Sequence, residues 1–318
     1  MLTLRLIVPP DRGDAVVRYL TEDDRTTNVY VLRGCAVRPS GDLVSCEVTR
    51  EAASDVLGWL RRQGIFEDGS VVLTEVAAAP SANARATERA APGAPDDAIV
   101  WEAVLDNAYG EVRGSWSFYA FLTLATAIAS VAVVTDSSIL VVGAMVVGPE
   151  FGAVAALALG IAALRPRLVR DAALLLLKGF AVAIALTVVL ALLARAVGWI
   201  DVPDVTGPRP LTGFIWRPDK WSAVVAVLAG AAGVLSQTAG RSNALVGVFI
   251  SVTTVPAAGD LALSLALGAP QQLAGSGAQL LINLAGMTAA GVTTLVIQRA
   301  LWRLKRARRP DAGQALEQ

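Results

Sequence analysis

Ile139-Leu-Val-Val-Gly-Ala-Met-Val-Val-Gly-Pro-Glu-Phe-Gly152 continues as an apolar tract to Leu164 and carries one carboxylate, Glu150, in its middle. Gly148, Pro149 and Gly152 surround that carboxylate in what otherwise has the length and composition of a membrane span. Proline offers no N–H and collides with the preceding turn, so a helix cannot run straight through this point. Freed backbone groups and an ionisable side chain at bilayer depth each cost on the order of several kcal/mol unless they line a cavity or pack inside protein. The tract therefore predicts an integral membrane protein and marks where its site should be sought.

Composition agrees. Of 318 residues 54% are hydrophobic and 17% charged, and the uncharged tracts are long enough to span a bilayer. The formal charge is zero, but Lys and Arg gather at the ends of apolar tracts and at the C-terminus. That is a membrane pattern and not a nucleic-acid one. There is no histidine, which excludes Ser-His-Asp and Cys-His catalysis and His-ligated zinc. The two cysteines, Cys35 and Cys46, are too few for a metal cluster and read as thiols in a reduced compartment. The expectation is a protein that is not an enzyme, with no metal or other cofactor and no nucleic-acid partner. No signal peptide is read at the N-terminus.

Residues 1–76 read as a small soluble domain. Leu2–Val8 alternates like a strand, and Asp11–Glu22 spaces Val16, Val17, Tyr19 and Leu20 as a one-sided helix. Strands Asn28–Cys35 and Asp42–Val48 follow, joined by a turn at Arg38-Pro-Ser-Gly-Asp42, then a helix over Glu51–Gln63 closed by Gly64, and a strand over Ser70–Val76. The order βαββαβ predicts a ferredoxin-like α+β domain. Residues 77–98, rich in Ala and Pro, read as a flexible linker, and 99–115 as an amphipathic helix on the membrane surface or the first span.

Six spans are predicted within 116–304, near Ser117–Val134, Ser137–Leu164, Ala172–Val197, Trp221–Ala239, Ser242–Leu267 and Ala278–Leu301, before a basic tail over 305–318. Arg113, Arg165, Arg167, Arg170, Arg241 and Arg299 then fall on one side, so the positive-inside rule makes the N-terminal domain and the C-terminus cytoplasmic. The second span of each half carries a Pro-x-x-Gly pair, Pro149 to Gly152 and Pro256 to Gly259, with Asp260 after the latter. Three spans per half is an odd number, which predicts a 3+3 inverted repeat with two broken helices meeting near the midplane, the plan of secondary transporters. Ordinary packing of Pro and Gly in membrane helices is the plainer reading of either pair taken alone.

Gly143–Gly152, the tract Leu228-Ala-Gly-Ala-Ala-Gly-Val-Leu235, and Ser251-Val-Thr-Thr-Val-Pro-Ala-Ala-Gly259 with Asn283 resemble the family of uncharacterised bacterial and archaeal hydrophobic membrane proteins called domain of unknown function 389. The resemblance covers about Trp116 to Val296. Family members often have Ser-Pro followed by apolar residues where this chain has Gly148-Pro149-Glu150, so a role for Glu150 need not be shared. The resemblance implies a bacterial plasma-membrane location and leaves the activity open.

Candidate substrate- or ion-binding residues are Glu150, Asp260, Ser251, Thr253, Thr254 and Asn283, with Gly148, Pro149, Gly152, Pro256 and Gly259 as helix breaks. Either carboxylate has the chemistry to take a proton or Na⁺, or to cap a half-helix. Ser236, Gln237, Thr238, Asn243 and Gln279 add hydroxyls and amides, and Lys178 and Arg195 read as snorkelling cations. The expected function is an ion-coupled carrier of a small polar or anionic solute; a channel and an anchored cytoplasmic sensor or scaffold are the alternatives. The expected partners are membrane lipid, an unidentified solute or ion, and a second copy of the chain, most simply in a dimer.

Overall fold

The computed structural model describes residues 1–91, 93, 98–239 and 252–307, with side chains through Leu301. The chain divides into two compact units, the first built on Met1–Asp106 and the second on the chain from Asn107 onward.

In the first unit, β1 (Leu2–Val8), α1 (Gly13–Glu22), β2 (Thr26–Val37), β3 (Ser40–Val48), α2 (Arg50–Arg62), the short α3 (Ile65–Asp68) and β4 (Ser70–Glu75) follow in order. The strands form one antiparallel sheet in the order β2-β3-β1-β4. Alternation along β1 puts Leu2, Leu4, Leu6 and Val8 on the buried face, where Val16 and Leu20 of α1 and Val56, Leu57 and Leu60 of α2 cover them. Each of these buried aliphatic side chains contributes about 1.5–3 kcal/mol relative to exposure. Tyr19 stacks on Trp59 at 4.0 Å between ring centroids, which fixes α1 against α2.

Two expectations for this region are corrected. The linker contains a nine-residue helix, α4 (Ala82–Ala90), because Ser81 Oγ accepts from Ala84 N and the alanine-rich run that follows favours a helix. The stretch leading into α5 (Trp101–Glu111), expected on the membrane surface or the first span, packs at its start in the first unit. Val100 belongs to the core of the first unit, Ala98 O accepts from Arg50 Nε, and Ile99 O accepts from Ser54 Oγ.

The second unit is helical: α6 (Trp116–Val134), α7 (Ser138–Val147), α8 (Glu150–Ala162), α9 (Pro166–Ala196), the short α10 (Val202–Thr206), a 3₁₀ turn over Gly213–Ile215, α11 (Lys220–Thr238), α12 (Thr254–Leu267) and α13 (Pro270–Ala307). Four of these, α6, α9, α11 and Pro270–Leu301 of α13, are long and apolar enough to cross a membrane, and α7 with α8 makes a fifth candidate bent by 56°. Leu177, Leu186, Val189, Leu190 and Leu193 leave α9 with an exposed apolar face, and such helices point to a membrane protein. Six spans were expected; the first part of the fifth lies outside the described residues, and α12 is a shorter apolar helix.

Helix α12 is the centre of the packing. Twelve of its 14 residues are buried, and it contacts α6, α7, α9 and α13. Small residues set the distances: a Cβ on Gly259 would lie 2.8 Å from Ala129 Cβ on α6, and one on Gly286 2.9 Å from Ala226 Cβ on α11. Arg195 at the end of α9 donates to Ala266 O at 3.4 Å and Gln272 donates to Val205 O at 2.6 Å. The end of α9, α10 and the α12–α13 turn therefore gather at one end of the unit. Arg299 Nη1 donates to Ala162 O at 3.5 Å, joining α13 to the end of α8.

Candidate functional site

The break in the apolar tract is real and narrow. Helix α7 ends at Val147, Gly148 is extended, and α8 begins at Glu150. Gly152 is helical, in the first turn of α8, so it is not part of the break; its missing side chain instead leaves room for the Glu111 carboxylate. Glu150 is buried, and among the described residues its Oε2 has no hydrogen-bond partner. A Cβ on Gly148 would collide with Glu150 Oε2 and lie 2.7 Å from Val255 Cγ2. The carboxyl group and the first turn of α12 therefore meet over a glycine, and only a residue without a side chain fits between them.

On the facing side, Pro256 is the third residue of α12 and breaks nothing among the described residues. The first N–H groups of a helix have no intrahelical acceptor, so a proline is tolerated there and marks a start. Gly259 lies inside α12, where it lets α6 approach and its carbonyl accepts from Ser130 Oγ at 3.0 Å; it is a packing glycine and not a break. Thr253 Oγ1, just before the helix, accepts from Gln279 Nε2 at 2.9 Å and from Asn283 Nδ2 at 3.1 Å, both on α13. Thr254 is fully buried, and its hydroxyl has no partner among the described residues. Thr253, Thr254, Asn283 and Gln279 thus form a polar cluster at the mouth of α12. Ser251 and Asn243 lie outside the described residues.

Asp260 does not sit at a break. It lies in the second turn of α12, fully buried, where its Oδ1 accepts from Arg209 Nη1 at 2.6 Å and its Oδ2 from Ser276 Oγ. Arg209 comes from the segment between α10 and the 3₁₀ turn, and its side chain is only 4% exposed. A carboxylate at this depth is tolerated because a charged donor and a hydroxyl satisfy both its oxygens. The guanidinium is satisfied less well: Nε and Nη2 are buried with no partner among the described residues.

A second clamp holds the same segment. Asp136, in the α6–α7 turn with φ +46°, accepts from Leu211 N at 3.2 Å, Thr212 N at 2.9 Å and Thr212 Oγ1 at 2.8 Å. Burial pushes the Asp136 carboxyl up, but the Thr212 hydroxyl, the two N–H groups and the Arg209 charge together hold it below the usual carboxylate range.

The structure thus brings Glu150 to the first turn of α12 and Thr253 to Asn283, and it separates Asp260 into a different cluster. Lys178 is exposed on α9. Sequence reasoning missed Arg209, Ser276 and Asp136. The available signal was Pro208-Arg209-Pro210, an arginine between two prolines, together with the need of Asp260 for a cation.

Residues 145–289 match the family described as Domain of unknown function (DUF389), inside the range of the expected resemblance. No curated protein and no solved structure matches the chain.

Proposed function

We propose that the chain is a secondary carrier of a small polar or anionic solute, with Glu150 as its ion-coupling group. The observation that carries this reading is the meeting of Gly148, Glu150 and Val255, where a broken helix abuts the start of a second half-length helix beside a buried carboxyl group whose Oε2 has no partner among the described residues. Carriers built on discontinuous helices place their sites where such ends converge. Thr253, Thr254, Gln279 and Asn283 add hydroxyl and amide groups at the same helix start. Val255 packs against Gly148, and the carrier reading takes this contact as belonging to one end state of alternating access.

Six crossings in a 3+3 inverted repeat fit the ends described above. The α6–α7 turn and the α12–α13 turn are each tied to the segment that follows α9, while Ala162 and Arg299 meet elsewhere on the unit. The N-terminal unit fits a ferredoxin-like domain, whose crossovers are split as in the sheet order β2-β3-β1-β4. In this reading the chain is not an enzyme, sits in a bacterial plasma membrane with both termini cytoplasmic, and works as a homo-oligomer.

The test uses full-length protein in proteoliposomes holding a pH-sensitive dye. An imposed gradient of inorganic phosphate, sulfate or succinate should drive proton movement in the parent and none in Glu150→Gln, while insertion and folding persist. Glu150→Gln with lowered thermal stability and unaltered proton movement would make Glu150 a structural residue and remove its coupling role.

A further inference from the structure

We infer that the cleft beside Arg209 is an anion site, built to take a phosphate, sulfate or carboxylate group from the end of the unit where α10 and the α12–α13 turn meet. The cleft has a volume of about 760 Å³ and is lined by the Thr206–Pro210 segment, Trp216, Arg217 and the Gly268–Gln272 turn. Its lining contains two arginines, Arg209 and Arg217, and no carboxylate. The first turn of α13 also opens on it, and the N–H groups of Gln271 and Gln272 belong to the donors that a helix start leaves unpaired.

Arg209 supplies the independent observation. Asp260 occupies Nη1 alone, and Nε and Nη2, the other edge of the same planar fork, are buried without a partner among the described residues. That edge offers two parallel N–H donors, the geometry that grips a carboxylate or phosphate group in a bidentate manner. A buried cationic donor left unmatched is costly; Nε and Nη2 are closed to solvent, so an anion in the cleft matches them once the lining yields. Asp260 does not do so: its Oδ1 meets Nη1 and its Oδ2 is turned to the Ser276 hydroxyl. Pro208 and Pro210 restrict the backbone on both sides of Arg209, and the Asp136 clamp on Leu211 and Thr212 fixes the segment, so the fork is held in place before the anion arrives. Arg217 rests over the Trp216 ring at 4.4 Å, which leaves its charge at the rim.

In naming an anion as the solute class the inference rests on the carrier reading; as a binding site it does not. The test is therefore binding without a gradient, on full-length protein in nanodiscs, by equilibrium dialysis of radiolabelled phosphate, sulfate and succinate at fixed ionic strength. The parent should bind at least one of them saturably. Asp260→Asn should bind more tightly, because the internal competitor for the guanidinium is gone. Arg209→Gln should weaken binding by roughly tenfold or more, and the charge-neutral pair Arg209→Gln with Asp260→Asn serves as the folded control should the single variant fail to fold. Nanodiscs of phosphatidylcholine alone are compared with nanodiscs containing phosphatidylglycerol. Equal phosphate binding in both identifies a free anion and not an anionic lipid as the ligand, and competition by phosphatidylglycerol identifies its anionic headgroup on the same fork. No saturable binding to the parent, or unchanged binding in the double variant, overturns the site. Binding that survives in a protein showing no Glu150-dependent proton movement keeps the site and removes the carrier.

Discussion

Gly148 and Val255 are in contact, and the Glu150 carboxyl group lies against the same point on Gly148. A glycine at the end of α7 is therefore a packing requirement of α12, about a hundred residues downstream in sequence. The contact makes a specific demand. Gly148→Ala should destabilise the protein by about 1–3 kcal/mol, the usual effect of an inserted methyl with no room. Gly143→Ala, five residues away on an open face of α7, meets nothing within 4 Å and should be neutral or stabilising. Thermal melts of both variants in one detergent decide; equal melting temperatures would show that the contact does not bear on stability.

The loop clamp can be tested separately. Asp136→Ala removes the acceptor for Leu211 N, Thr212 N and Thr212 Oγ1 together. Hydrogen exchange over residues 207–217 should rise severalfold, while the strands of the first unit exchange as before. Unchanged protection of the loop would mean that Arg209 and Asp260 hold it alone.

Acid should loosen the first unit from its β2 edge inward. Asp42 accepts from Gly34 N and from Arg33, which hold its carboxyl below the usual range; Asp23 is pushed up by burial but is held lower overall by Arg25. A carboxyl whose folded pKa lies below its unfolded value stabilises fully above the unfolded value, about 3.9. That stability is lost as pH falls through the folded value. Exchange of β2 and β3 amides, corrected for intrinsic rates, should therefore accelerate below about pH 4, and Arg33→Ala should flatten the dependence. A profile with the same slope in that variant would sink the assignment.

The thiols differ by environment. Burial pushes Cys46 up to about 12, and Cys35 is exposed on β2. Iodoacetamide at neutral pH should add one adduct to the native protein, at Cys35, and a second only in denaturant. Early modification of Cys46 would show that the sheet opens readily.

Much of this was legible before any coordinates. Leu2, Leu4 and Leu6 alternate, and α1 and α2 have single apolar faces, so their burial follows from period alone. Pro149 has no donor and sits among apolar residues, so the break at Gly148 also follows from local chemistry. What stayed hidden is nonlocal. Gly259 reads like Gly152 in sequence, yet one admits the backbone of α6 and the other the Glu111 carboxylate; which neighbour fills the space above a glycine is decided by tertiary packing. Arg209 lies 51 residues from Asp260, in a segment whose mixed charge reads as ordinary solvated loop. A cation drawn inward by a buried carboxylate leaves no periodic trace, and the proline on each side was its sole local mark.

At 1.5 Å per residue the 38 residues of α13 measure about 57 Å, nearly twice the roughly 30 Å of a hydrocarbon core. Ser276, which holds Asp260, and Gln279 and Asn283, which hold Thr253, stand on successive turns of this one rod. Any tilt or axial slide of α13 must strain both clusters at once, and a pull on its far end acts on them as a lever acts on two hinges. The Arg209–Asp260 cluster and the helix start beside the break therefore share one support, and a shift of α13 reaches both.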